Sequence, residues 1–170
     1  QMLQLAKLEA KEIQRSSEHV QLNSVLDEMI PPLADIATEK GLTFIQRVKP
    51  DLPDIIADRD TIYMIFKNLI ENAIKFTLSG TVEVNAIVND QQQIEIKVRD
   101  EGIGIPEAAM PNLFKRFYRT KTAVERGIAG TGIGLYMVKE GIEKHKGTLT
   151  VHSTEGKGTT FIVRLPIAAV

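Results

Sequence analysis

No cysteine occurs among the 170 residues. Its absence excludes disulfides, thiolate metal sites and cysteine nucleophiles, and agrees with a reducing, cytoplasmic compartment. Neither sign of charge dominates, since 21 Lys and Arg stand against 22 Asp and Glu. No whole-domain field would therefore draw nucleic acid or an anionic membrane, and any phosphate binding must be local. No apolar run approaches the length of a membrane span, and no signal-peptide pattern opens the chain. As given, it reads as a soluble piece without direct membrane contact. Internal repeats are absent too. What remains, 43% hydrophobic, can bury one sizeable core, so one globular unit with a short appendage is expected.

The spacing of Met2, Leu5, Leu8 and Ile13 gives a narrow amphipathic helix from Gln1 to about Arg15. An extended segment around His19 to Gln21 leads into a helix over Leu22 to Lys40, stopped near Gly41. Pro31 and Pro32 predict a kink or restart inside it, because each removes a donor and crowds the preceding turn. Strands are expected at Leu42 to Val48 and Asp54 to Ala57, then a long helix from about Arg59 to Thr77. Thr81 to Val88 and Ile94 to Arg99 alternate apolar with polar around the turn Asn89 to Gln93, an antiparallel hairpin with Asp100 just beyond it. Pro106 to Phe114 suggests a short helix, Lys115 to Ala129 a mobile basic loop, and Gly132 to Lys146 a helix closed by Gly147. Thr148 to Ser153 and Thr159 to Leu165 supply the last strands. Helices beside a mostly antiparallel sheet make an α+β two-layer sandwich.

On the long helix, Ile62, Ile65, Phe66, Leu69, Ile70, Ala73 and Ile74 form an apolar stripe. Asn68, Glu71, Asn72 and Lys75 fall at i, i+3, i+4 and i+7 and form a second, polar stripe. Alone, that stripe would pass for a solvated face. Asp100 before Gly102 would alone pass for a turn residue. The two later glycine segments change both readings. Gly102 and Gly104 allow a sharp turn and close backbone approach. Gly130, Gly132 and Gly134 precede a helix, where bare N–H groups and a positive helix end can meet phosphate oxygens, with the Thr131 hydroxyl beside them. This is not a Walker loop, since no Lys-Ser or Lys-Thr follows the glycines, nor a dinucleotide fingerprint opening from a strand.

Four segments in one order, NLIENAIKFT from Asn68, DEGIGIP from Asp100, LFKRFYR from Leu113 and GTGIGL from Gly130, resemble the ATP-binding domain of sensor histidine kinases. The wider superfamily includes DNA gyrase, the heat-shock chaperone ATPases and MutL, and its fold is the Bergerat sandwich, with helices on one face of a mixed sheet. The resemblance implies ATP and Mg²⁺ as ligands. Asn72 would ligate the metal through its carbonyl oxygen, a hard neutral donor suited to an ion otherwise held by phosphate and water. Asn68, Glu71, Asn72, Lys75 and Arg119 form the expected catalytic set, with Glu71 behind the others. Asp100 would read adenine, because an ionised carboxylate only accepts and would meet guanine's carbonyl with repulsion.

Phe76, Ile103 and Ile105 would lie near the base. Phe114 and Phe117 resemble lid aromatics, Arg119 the phosphate-reaching arginine, and Tyr118 and Lys121 further lid contacts. Ile133 and Leu135 belong to the second glycine segment, with Leu135 packing behind it, and Thr159 would support adenine through water.

By the same resemblance, residues 1–17 are the end of a dimerisation hairpin helix and connector, although an ordinary surface helix fits equally well. Residues 18–170 are the ATP-binding domain, with a flexible lid over about 106–130. The implied partners are the protein's own phosphoacceptor domain, in a homodimer, and the receiver domain of a response regulator. The parent protein could be membrane-anchored. None of His19, His145 and His152 has the context of a phosphoacceptor, so that histidine is expected outside this chain. A glutamate general base, which the gyrase and chaperone branches carry at the place of Asn68, is replaced here by an amide that cannot take a proton. That departure argues against a dedicated ATPase. A degenerate nucleotide-binding docking module is the remaining alternative.

Overall fold

A computed structural model describes residues 1–10 and 17–169. The elements are α1 (Met2–Glu9), β1 (Glu18–Val20), α2 (Leu22–Glu39), β2 (Thr43–Val48), β3 (Ile55–Ala57), α3 (Arg59–Phe76), β4 (Thr81–Val88) and β5 (Gln93–Asp100). A 3₁₀ turn (Glu107–Asn112), α4 (Lys121–Glu125), α5 (Gly134–Lys144), β6 (Thr148–Thr154) and β7 (Gly158–Pro166) complete the chain. Five strands in the order β2-β4-β5-β7-β6 make the main sheet, and β1 pairs with β3 in a small second one. Among the described residues only β2 and β4 pair in parallel. The chain passes between them through β3 and α3, as a parallel pair requires.

The alternation expected for β4 and β5 is met. Val82, Val84, Ala86, Ile94, Ile96 and Val98 face inward and are buried, while Glu95 on the other face accepts from Arg164 Nε on β7 at 2.7 Å. Against the inner face lies α3, whose apolar stripe is buried in full, Ile62, Ile65, Phe66, Leu69 and Ile70 having no exposed surface. At roughly 1.5–3 kcal/mol for each large apolar side chain buried, these contacts anchor α3 as a rigid platform. Its start is fixed by Asp58, whose carboxylate accepts from Thr61 N at 3.1 Å. At its end, Lys40 Nζ donates to the carbonyls of Ile74 at 2.7 Å and Lys75 at 3.1 Å, which have no partner within the helix.

Two expectations are corrected. The restart expected in α2 does not occur, since one helix runs through Pro31 and Pro32. Both prolines are exposed, as are Asp27 and Glu28 one turn back, so the carbonyls they leave without a helical donor can turn to water. Buried Leu26, Met29, Ile30 and Leu33 on the opposite face hold the helix together. The stretch from Lys115 to Ala129 is not all loop: Thr120 Oγ1 accepts from Ala123 N at 3.2 Å and starts α4. Along α1, Leu5 and Leu8 are buried but Met2 is 67% exposed. Ile13, the fourth residue of the expected stripe, lies outside the described residues.

Candidate functional site

A cavity of about 580 Å³ opens between α3, the 103–105 loop, the 118–132 segment and the start of α5. The whole polar stripe of α3, Asn68, Glu71, Asn72 and Lys75, lines it. The helix therefore works on two faces, one holding the core and the other forming the cavity floor.

At one end sits Asp100, only 6% exposed. Its Oδ1 accepts from Gly102 N at 2.8 Å and Thr159 N at 3.2 Å. Among the described residues Oδ2 has no hydrogen-bond partner, and no side-chain polar atom is fully buried without one. That oxygen is thus left to the cavity as an acceptor. Burial is the main reason its pKa rises from 3.8 to about 6, with the two backbone donors opposing the rise.

Tight approach explains the first glycine segment. Gly104 has φ of +67°, and a Cβ there would lie 2.1 Å from the Thr154 carbonyl oxygen. The β6–β7 turn presses directly on the loop: Gly156 N donates to Ile103 O at 2.7 Å, and Ile105 N donates to Ser153 Oγ at 2.8 Å. Ile103 N is held in turn by Phe76 O at 3.1 Å. Ile103, Ile105, Phe76 and Thr159 consequently line the same end as Asp100.

Cations gather at the other end. A Cβ on Gly130 would lie 3.5 Å from Lys75 Nζ and 3.7 Å from Arg119 Nε, so both side chains meet at this glycine. Burial, and then the charge of Arg119, hold the Lys75 ammonium below the usual lysine range, with Glu71 opposing. Two half-buried cations brought together favour an anion between them. Arg119 is braced by a hydrogen bond to the Ile128 carbonyl, and Lys75 lies 5.1 Å from the centre of the Phe76 ring.

Gly132, at φ of +75°, could not carry a Cβ without meeting the Phe117 backbone at 2.6 Å. Phe117 N donates to Gly132 O at 2.8 Å, which ties the two segments together. Helix α5 begins without a side-chain cap, and Gly134 and Leu135 at its start line the cavity with Thr131 and Gly130. Its positive end faces the two cations' shared anion position.

The two asparagines are not equivalent. Asn68 Nδ2 donates to Met64 O at 2.9 Å, and its Oδ1 lies 2.9 Å from where a Gly134 Cβ would stand. No hydrogen bond engages the Asn72 amide among the described residues, which leaves its oxygen available to a ligand. No cluster of three or more His, Cys, Asp or Glu able to hold a metal occurs among them. The Asn72 oxygen, with the Glu71 carboxylate in the same lining, is a hard donor that could share a cation with the oxygens of a bound anion.

Other expected residues lie elsewhere. Ile133 is buried in the core and Gly102 sits beneath Asp100. Phe117 is 64% exposed, and Lys121 pairs with Glu125 at 3.7 Å on the surface. None of these four lines the cavity, whereas Tyr118 and Arg119 do. Among the lining residues that sequence reasoning missed are Lys40, Leu113 and Ala123, with Ser153 behind them. Leu113 opens the LFKRFYR segment and Ala123 follows by three residues the Thr that caps α4, whereas Lys40 and Ser153 carried no signal.

Comparison with known proteins gives one family. The model of the histidine kinase-, DNA gyrase B- and HSP90-like ATPases matches residues 57–169. The signal transduction histidine-protein kinase BarA of Escherichia coli K12 is 36% identical over 165 residues, covering 94% of this chain and 18% of that protein. The sensor histidine kinase WalK of Bacillus subtilis is 36% identical over 171 residues, covering 97% of the chain and 27% of its own length. The chain thus spans less than a third of these curated relatives. Among solved structures, full-length ShkA in complex with AMPPNP superposes with a TM-score of 0.83 at 29% identity, over 99% of this chain and 35% of that one.

Proposed function

Because the chain belongs to the family of histidine kinase-, DNA gyrase B- and HSP90-like ATPases, we propose that it is the ATP-binding catalytic domain of a two-component sensor histidine kinase. It moves the γ-phosphoryl group of Mg-ATP to a histidine on the dimerisation domain of its own parent protein. An aspartate on a response-regulator receiver domain takes the group next.

Asp100 Oδ2 accepts from the exocyclic amine of adenine while Ile103, Ile105 and Phe76 bury the ring. Lys75 and Arg119 neutralise the triphosphate, and the Gly130 to Gly134 backbone with the start of α5 binds its oxygens. The Asn72 oxygen would hold Mg²⁺, which supplies charge neutralisation on the phosphates when bound. Chemistry of this kind is mostly positioning and charge. The attacking nucleophile is the imidazole of the acceptor histidine, not a residue of the cavity lining.

One observation favours the kinase over an ATPase of the same family. The Asn68 amide nitrogen is spent on the Met64 carbonyl, and an amide oxygen cannot take a proton from water. ATP is thereby protected until an imidazole arrives. Incubation of labelled ATP with a supplied hairpin bearing the acceptor histidine tests this reading. Acid-labile, base-stable label on the hairpin is expected; rapid release of free phosphate with no labelled hairpin would establish the ATPase instead.

A further inference from the structure

We infer that Ser153, which does not line the cavity, is a positioning residue that sets the adenine preference of the site by fixing which way the Thr159 hydroxyl points. The inference rests on the nucleotide reading above and adds a residue to it.

Ser153 and Thr159 face one another across the β6–β7 ladder. Three groups converge on the serine hydroxyl. Its Oγ accepts from Ile105 N at 2.8 Å, donates to Gly158 O at 3.0 Å and lies 2.8 Å from Thr159 Oγ1. A hydroxyl has one proton and two lone pairs. With its proton on the Gly158 carbonyl and one lone pair on Ile105, Ser153 has only a lone pair left for Thr159. In that arrangement the threonine is the donor of the pair, and its lone pairs are what it offers the cavity.

Thr159 N meanwhile donates to Asp100 Oδ1 at 3.2 Å, so the same residue positions the carboxylate. The base end then presents two acceptors, Asp100 Oδ2 and Thr159 Oγ1, and no rotating donor. A 6-amino purine offers N–H groups to that pair, directly or through a water. A 6-oxo purine offers a carbonyl and is repelled by both. Ser153 also holds Ile105 against the base end, so one hydroxyl serves both polarity and shape.

The test is binding of ATP and of inosine triphosphate, whose base carries oxygen in place of the amine, to the full chain and its Ser153→Ala, Ser153→Thr, Thr159→Val and doubly substituted Ser153→Ala/Thr159→Val forms. Wild type should prefer ATP. Freed from Ser153, the threonine hydroxyl can donate, so Ser153→Ala should lower the ATP-to-ITP preference about five- to tenfold, the scale of one buried hydrogen bond. Ser153→Thr keeps the hydroxyl and should restore the preference.

In the double substitution, the loss should not exceed that of Thr159→Val alone, because the serine acts through the threonine. Equal weakening of both nucleotides by Ser153→Ala, unchanged preference, or additive losses in the double form would each overturn the inference. Should Ser153→Ala not fold, failure of the folded Ser153→Thr form to keep the wild-type preference would do so. A wild type that binds neither nucleotide refutes the nucleotide reading itself, which separates the two failures.

Discussion

Asp100 shows how one residue can trade stability for recognition. Burial raises its pKa to about 6, outweighing its two backbone donors and the charge of Arg99. The folded state therefore holds the proton more tightly than the unfolded chain, so this group's contribution is most favourable below about pH 4 and is lost as pH rises through 6. Ligand binding runs the other way. Once protonated, Oδ2 carries a hydrogen toward an amine that also donates, so ATP affinity should fall as pH drops through about 6, measured by titration calorimetry between pH 5 and 8. An unchanged affinity over that range would contradict the assignment.

Asp100→Asn separates the two effects. Gly102 N and Thr159 N pin Oδ1, so the amide nitrogen would take the cavity-facing position and present a donor. The variant should unfold about 1–3 kcal/mol less readily at pH 8 yet lose its preference for ATP over GTP. Urea titrations and competition binding measure the two quantities. Asn72→Ala, on the polar stripe and outside the core, should abolish Mg²⁺-dependent binding while moving the melting temperature by no more than about 2 °C. Collapse of the fold would mean that this face of α3 carries structure rather than ligand.

At the scale of elements, α3 and the start of α5 line the cavity, while the two helices are tied together at the far end of α5. His145, at the end of α5, accepts from Asp58 N with Nε2 at 3.0 Å and contacts Gly141 O with Nδ1 at 2.6 Å. Neutral imidazole with its proton on Nδ1 satisfies both bonds. The side chain thereby ties the end of α5 to the start of α3, far from the cavity. His145→Ala leaves the Asp58 amide without that partner, and a loss of about 1–3 kcal/mol is expected in chemical unfolding. Affinity for nucleotide in the folded protein should stay within twofold of wild type.

Gly132→Ala should behave in the opposite manner. Its φ of +75° and the Phe117 backbone 2.6 Å away leave a methyl group nowhere to go. The 117–132 tie would open, and nucleotide affinity should fall at least tenfold while the sheet core melts almost as before. Equal affinity for wild type and variant would show that this tie does not shape the site.

For the whole molecule, the sheet and long helices were legible because their signals are periodic and redundant. The β4–β5 alternation and the two stripes of α3 each rest on many residues, so no single exception mattered. Pro31 and Pro32 misled because the propensity of two residues was overridden by the buried face of α2, which is a tertiary effect. The cavity floor and glycine segments were readable as motifs. Ser153 was not, since a serine in a strand is recognisable as a junction only when Ile105 and Thr159 are brought beside it from elsewhere in the chain. Phe117 and Lys121 matched a pattern whose outcome depends on how the 115–129 stretch folds over the cavity.

Everything proposed for the molecule reduces to two ends of one cavity, an acceptor end at Asp100 and a cationic end at Lys75, Arg119 and the start of α5. A crystal structure of the chain with Mg²⁺ and a non-hydrolysable ATP analogue addresses this directly. The adenine amine is expected against Asp100 Oδ2, the triphosphate between Lys75 and Gly130, and the metal on the Asn72 oxygen. A ligand lying reversed in the cavity, or bound outside it, would contradict the account.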